Sequence, residues 1–132
     1  MKTVLFICVG NSQRSQMAEA YFNHFANGKA RAISAGTHPA SRVDSKAIAI
    51  MAEEGIDLSG KQPKLLTDEM VQQADRVITL GCGVARSCLV SLGAAEDWGL
   101  DDPLGYPVEK LRPLRDEIKA RVLRLIQELE LA

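Results

Sequence analysis

A chain of 132 residues, 46% hydrophobic and 25% charged, has the composition of an ordinary globular protein, long enough for one domain (residues 1–132) and too short for two. Its net charge of −1 gives no electrostatic case for nucleic acid or an anionic membrane, and no apolar stretch approaches the length of a membrane span. The opening MKTVLFICVGNSQRS turns polar too soon for a secretory signal, so a cytoplasmic protein is expected.

In chain order, Val4-Leu5-Phe6-Ile7 is a buried strand over residues 3–7 that delivers Cys8 at its carboxyl end. The loop Val9, Gly10, Asn11, Ser12, Gln13 and Arg14 can turn its N–H groups inward as an anion-binding nest. A helix begins next and points its partially positive N-terminus at the same spot. Arg14 adds a two-pronged donor for a tetrahedral oxyanion, and Ser15 can donate to a thiolate. A thiol in that field should ionise below the usual value of about 8.5. Cys-x5-Arg alone arises by chance, as a strand cysteine and a surface arginine. The strand before it, Gly and Asn inside it and the helix after it favour an oxyanion cradle with a sulfur nucleophile.

From Ser15 to Asn27, Met17, Ala18, Tyr21, Phe22 and Phe25 recur at helical spacing, with Gly28 as the stop. Ala30 to Ala35 is a second strand stopped by Gly36, Asp44 to Glu54 a second helix, and Thr67 can cap a short helix over 68–74. Arg76 to Leu80 is a third buried strand, residues 81–97 are ambiguous, and 98–107 form a loop. Val108 to Leu131 is the longest amphipathic helix, with Leu111, Leu114, Ile118, Val122, Leu125, Ile126 and Leu129 as its stripe. Short apolar strands alternating with helices predict an α/β fold, a parallel sheet with helices on both faces and a site at the strands' carboxyl ends.

Cys8, Cys82 and Cys88 are the three cysteines, an odd number that argues against a disulfide framework. With only His24 and His38 besides, no zinc-type spacing exists, and no metal or bound cofactor is expected. Cys82 follows the third strand, which puts it on the same sheet edge as Cys8. It lies between Gly81 and Gly83, six residues before Cys88. This pair reads as redox-active rather than as packing. Arg86 between them either lowers a thiol pKa or is a solvated charge. Asp102, before Pro103, is either a general acid for a leaving oxygen or an ordinary turn former.

Cys8-Val-Gly-Asn-Ser-Gln-Arg-Ser15, Ser34-Ala-Gly-Thr37 and Asp102-Pro103 together resemble the low-molecular-weight tyrosine phosphatase superfamily, from the first strand to the last helix. Ser15-Gln16-Met17-Ala18-Glu19 and the Trp98 to Pro103 segment resemble its arsenate reductase branch, as do the two extra cysteines, although Leu89 stands where relatives often carry a proline. Aromatic residues that phosphatases place beside the cradle are absent from Thr37 to Asp44 and directly after Pro103, where Leu104 and Gly105 stand. One branch of the family binds potassium through carboxylates that include one just before the third helix. Pro63-Lys64-Leu65-Leu66 offers none, so that site is not carried over.

The resemblance implies a single-domain, four-stranded parallel sheet and a reduction of arsenate to arsenite that serves arsenic detoxification. Cys8 attacks arsenate held by residues 9–14 while Asp102 protonates the departing oxygen. Cys82 then attacks the adduct, arsenite leaves, and Cys88 moves the disulfide to Cys82–Cys88. Thioredoxin or a glutaredoxin-type reductant would reopen it, so an external thiol is required but no bound cofactor. A monomer is expected. The alternative is a phosphatase that hydrolyses phosphate monoesters through a phosphocysteine, with Cys82 and Cys88 as bystanders. A cysteine-based phosphocarrier, the third option, needs no loop arginine.

Overall fold

The computed structural model describes residues 1–81, 96–101 and 103–129. The strands are β1 (Lys2–Cys8), β2 (Ala30–Gly36), β3 (Arg76–Thr79) and β4 (Glu96–Asp97), and the helices are α1 (Arg14–Ala26), α2 (Ser45–Ala52), α3 (Asp68–Gln73) and α4 (Val108–Glu128). The four strands form one parallel sheet in the order β2-β1-β3-β4. β1 is thus central, and the chain leaves it first toward β2 and later toward β3. In open parallel sheets the crevice at such a reversal, beyond the carboxyl ends of the strands, is where ligands bind. Cys8 is the last residue of β1 and pairs with Gly36, the last of β2.

Alternation along β1 assigns its side chains to two faces. Val4, Phe6 and Cys8 join the larger core with Met17, Tyr21 and Phe22 of α1, Ile50 and Met51 of α2, and Leu111, Ile118 and Val122 of α4. Leu5 and Ile7 face the other way and pack with Ala35, Leu66, Met70 and Val71 beneath α3. Both faces of β1 are therefore dry, which explains its unbroken apolar run where a half-exposed strand would alternate. Phe6 meets Phe22 edge-on at 6.2 Å and Trp98 at 5.6 Å, fixing the loop after β4 against the sheet.

The predicted elements lie where expected, with differences that have causes. α1 is less amphipathic than its apolar spacing suggests: Gln16 and Glu19 are buried as well, because the segment around Lys64 covers that side. Asn27, in the left-handed conformation at φ 51°, ends α1 one residue before Gly28. Asp44 caps α2 by accepting from the Lys46 N–H at 2.8 Å, and Thr67 caps α3 from Met70 at 3.3 Å. β4 falls inside the stretch left ambiguous. It is two acidic residues whose only strand signal is pairing with Ile78 and Thr79. The predicted final helix extends to Leu131; the described helix ends at Glu128, and residues 130–132 lie outside the described residues. No helix among the described residues is long and apolar enough to cross a membrane.

An ionic clamp ties the end of α2 to α4. Glu53 accepts from Arg112 Nη2 at 2.8 Å and from Arg115 Nη1 at 2.7 Å, while Arg115 also donates to the Ile50 carbonyl at 2.9 Å. The hydrogen bonds from Arg112, and then the one from Arg115, hold the Glu53 carboxyl down at about 2, against an ordinary 4.5. A folded-state value below the unfolded one stabilises above pH 4.5 and loses that contribution as pH falls toward 2. Urea unfolding at a series of pH values should show wild-type stability falling through this window and Glu53→Gln falling less steeply. Parallel slopes would mean that the clamp is screened out by solvent.

Candidate active site

Cys8 Sγ sits on the floor of a cavity of about 210 Å³ at the carboxyl end of β1. The cavity is walled by Val9, Gly10, Ser12, Gln13 and Arg14, with Ala40, Asp44, Pro103 and Leu104 at its rim. Cys8 is 3% exposed and Arg14 4%, so nucleophile and guanidinium are both largely withdrawn from water. Arg14 Nη1 donates to the Leu100 carbonyl at 3.2 Å, an anchor that aims the group. Gln13, the N-cap of α1, makes no side-chain capping bond, and the first turn of α1 carries no acidic residue. The partial positive charge of the helix end is therefore left uncancelled by any acidic side chain of that turn beside the cavity.

Two hydrogen bonds reach the sulfur: the Asn11 N–H donates at 3.2 Å, and Ser15 Oγ shares a proton with it at 2.8 Å. A thiolate, the form that attacks, can accept from both. Asn11 belongs to the loop expected to hold substrate through its N–H groups; its side chain is buried behind the cavity and does not line it. It is also the residue that bends the loop, at φ 50°; the loop glycine, Gly10, is not in a left-handed conformation. Asn11 adopts that conformation because its side chain is held on every side, donating to Ser15 Oγ at 2.7 Å and Ser34 Oγ at 3.0 Å and accepting from Gln16 Nε2 at 3.0 Å and the Lys64 N–H at 2.9 Å.

Two glycines are fixed by close approach, one to this loop and one to the Leu100 carbonyl that anchors Arg14. A Cβ on Gly36 would lie 2.5 Å from the Val9 carbonyl oxygen and 3.0 Å from Asn11 N. Gly36→Ala must therefore push the loop off the sulfur. It should destabilise the fold by about 1–3 kcal/mol and slow alkylation of Cys8. An alanine variant with unchanged stability and unchanged Cys8 reactivity would show that the loop yields freely. Gly81, at φ 144°, would place a Cβ 1.9 Å from the Leu100 carbonyl oxygen, the same oxygen that anchors Arg14. Gly81, which precedes Cys82, thus helps to seat the arginine, and its alanine variant would disturb the anion clamp directly.

Cys82, Cys88 and Asp102 lie outside the described residues, as do Gly83 and Arg86. Pro103, next after Asp102, is at the cavity rim. Sequence reasoning did not find the parts played by Gly36, Leu100 and Ala40; Ser34-Ala-Gly-Thr37 was noticed only as a resemblance. No aromatic side chain is among the described residues lining the cavity, and no trio of His, Cys, Asp or Glu among the described residues could hold a metal ion.

A family model described as low molecular weight phosphotyrosine protein phosphatase matches residues 3–132. A glutaredoxin arsenate reductase from Synechocystis is 41% identical, over 98% of this chain and 99% of that one. Among solved structures, an arsenate reductase in a phosphate-binding state superposes with a TM-score of 0.86 at 41% identity, covering 97% of this chain and 98% of the other. A low molecular weight protein tyrosine phosphatase from T. tengcongensis superposes with a TM-score of 0.85 at 29% identity, covering 97% and 99%.

Proposed function

The chain belongs to the low molecular weight phosphotyrosine protein phosphatase family, and within that family we propose that it acts as an arsenate reductase serving arsenic detoxification. The observation that carries this reading is a thiol-floored oxyanion cradle whose described rim, Ala40, Asp44, Pro103 and Leu104, offers no aromatic wall. A phosphotyrosine ring needs apolar walls to lie against, whereas a bare tetrahedral oxyanion needs only donors and charge. The relative from Synechocystis, named as an arsenate reductase, supports the same choice.

The Cys8 thiolate attacks arsenic, and an oxygen departs as water with a proton from Asp102. The loop N–H groups and Arg14 hold the remaining oxygens. Cys82 then attacks Cys8 sulfur, so that an S–S bond forms as the S–As bond breaks and its electron pair stays on arsenic. Arsenic is thereby reduced to arsenite and two thiols are oxidised. Cys88 attacks Cys82, freeing Cys8, and an external dithiol protein reopens the Cys82–Cys88 bridge. Thioredoxin and glutaredoxin are both reductants of this class, and the name of the Synechocystis relative favours the second. The test is NADPH consumption on adding arsenate, run separately with each reductant system. Consumption with either supports a reductase and identifies its partner, and none with either overturns the reading.

The phosphatase neighbour at 29% identity supports a second reading, hydrolysis of phosphate monoesters by the same cradle. Phosphate and arsenate have nearly the same shape and charge, so weak turnover of p-nitrophenyl phosphate is expected beside the main activity. Asp102→Asn should slow either chemistry by about 10²–10⁴-fold in kcat with little change in KM, since a general acid acts mainly in the transition state. Asp101→Asn should be milder. Equal losses in the two variants would mean that the acid lies elsewhere.

A further inference from the structure

Behind the cradle lies a polar cluster that the chemistry above does not use. Glu19, in the second turn of α1, is 4% exposed. Its Oε1 accepts from Ser34 Oγ at 3.1 Å, and Lys64 Nζ and Lys61 Nζ stand 3.7 and 3.8 Å from its two oxygens. A carboxylate at that depth does not stay ionised without cations or donors around it. Both lysines belong to the segment leading into α3, whose backbone is stitched to the cradle. Gly36 N donates to the Lys64 carbonyl at 2.8 Å, and Leu66 N donates to the Gly36 carbonyl at 2.9 Å.

The direction of every hydrogen bond in the cluster follows from its ends. The Lys64 N–H only donates, so Asn11 must offer it Oδ1 and turn Nδ2 toward Ser15 and Ser34. Ser34 gives its single proton to Glu19 and so accepts from Asn11. Ser15 likewise accepts from Asn11, which leaves its own proton for Cys8 Sγ. The carboxylate therefore supports a hydroxyl that is aimed at sulfur. By itself it would also set a negative charge behind a thiolate, which disfavours the thiolate.

We infer that Glu19, Lys61 and Lys64 form a charge-compensated positioning device for Cys8. The carboxylate orients the Ser34–Asn11–Ser15 chain, and the two ammonium groups cancel the field it would impose on the sulfur. The inference rests on Cys8 as the nucleophile. It is tested with a neutral alkylating agent and no arsenate, so it can fail while the arsenate reading stands, and the reverse.

The experiment measures iodoacetamide labelling of Cys8 at pH 7, quantified by peptide mapping on variants shown by urea unfolding to be folded. Lys61→Met/Lys64→Met keeps the aliphatic stems and removes both charges; labelling should slow about tenfold, the scale of one unit of thiol ionisation. Lys64→Arg should label at the wild-type rate. Adding Glu19→Gln to the double methionine variant should recover most of the loss, because the uncompensated charge is gone while an acceptor for Ser34 remains. Should the double variant not fold, Lys64→Met with and without Glu19→Gln gives the same comparison with a smaller loss. Wild-type labelling without the lysines would overturn the inference. So would a further slowing on adding Glu19→Gln, which is the additive result that mere packing produces.

Discussion

Arsenate reduction by Cys8→Ser is expected to fall at least about a thousandfold, to background. A serine hydroxyl is a poor nucleophile where a thiolate is a good one, and it cannot form the disulfide that supplies two electrons to arsenic. Cys8 is also the point on which the Asn11 N–H and the Ser15 hydroxyl converge, so no other described group is placed to replace it. Arg14→Ala should cost about 10²–10³-fold, the loss that follows removal of a donor aimed at developing oxyanion charge. Arg14→Lys should recover little, since the guanidinium is held by the Leu100 carbonyl and a point charge lacks its two-pronged geometry. Steady turnover by Cys8→Ser above about a hundredth of the wild-type rate would remove the nucleophile from the account.

The second large effect concerns Cys82 and Cys88. Under multiple turnover both Cys82→Ser and Cys88→Ser should lose essentially all arsenate reduction, yet they should fail at different points. Cys88→Ser retains the thiols needed for one reduction and should release one arsenite per enzyme before stopping as a Cys8–Cys82 disulfide. Cys82→Ser should halt at the Cys8–arsenic adduct unless a small external thiol intercepts it. Counting arsenite in a single enzyme-limited turnover separates these outcomes. Full steady-state activity in both serine variants would make the two cysteines packing residues, and the phosphatase reading would then prevail.

How much of this was legible in the sequence follows from the range of each signal. β1 and β3 announced themselves by short apolar runs and β2 by a short, largely apolar segment stopped by Gly36, and the caps at Asp44 and Thr67 because a capping side chain acts within three residues. Cys8, Arg14 and Ser15 were found for the same reason: one strand, one loop and one helix start hold them. β4 was not legible, since Glu96 and Asp97 carry no strand pattern and owe their conformation to β3. Nor was the Leu100 carbonyl that anchors Arg14, 86 residues away in sequence. Nor was the residue that bends the loop: the left-handed turn belongs to Asn11, which needs Ser34 and Lys64 to hold it there.

The central claim is that arsenate is reduced by electrons drawn from this chain's own thiols. Peptide mapping of the wild-type protein after exposure to arsenate, without any reductant, tests it most directly. The account predicts one arsenite released per chain, a Cys82–Cys88 disulfide and a free Cys8. Arsenate that leaves all three thiols reduced and releases no arsenite would contradict it.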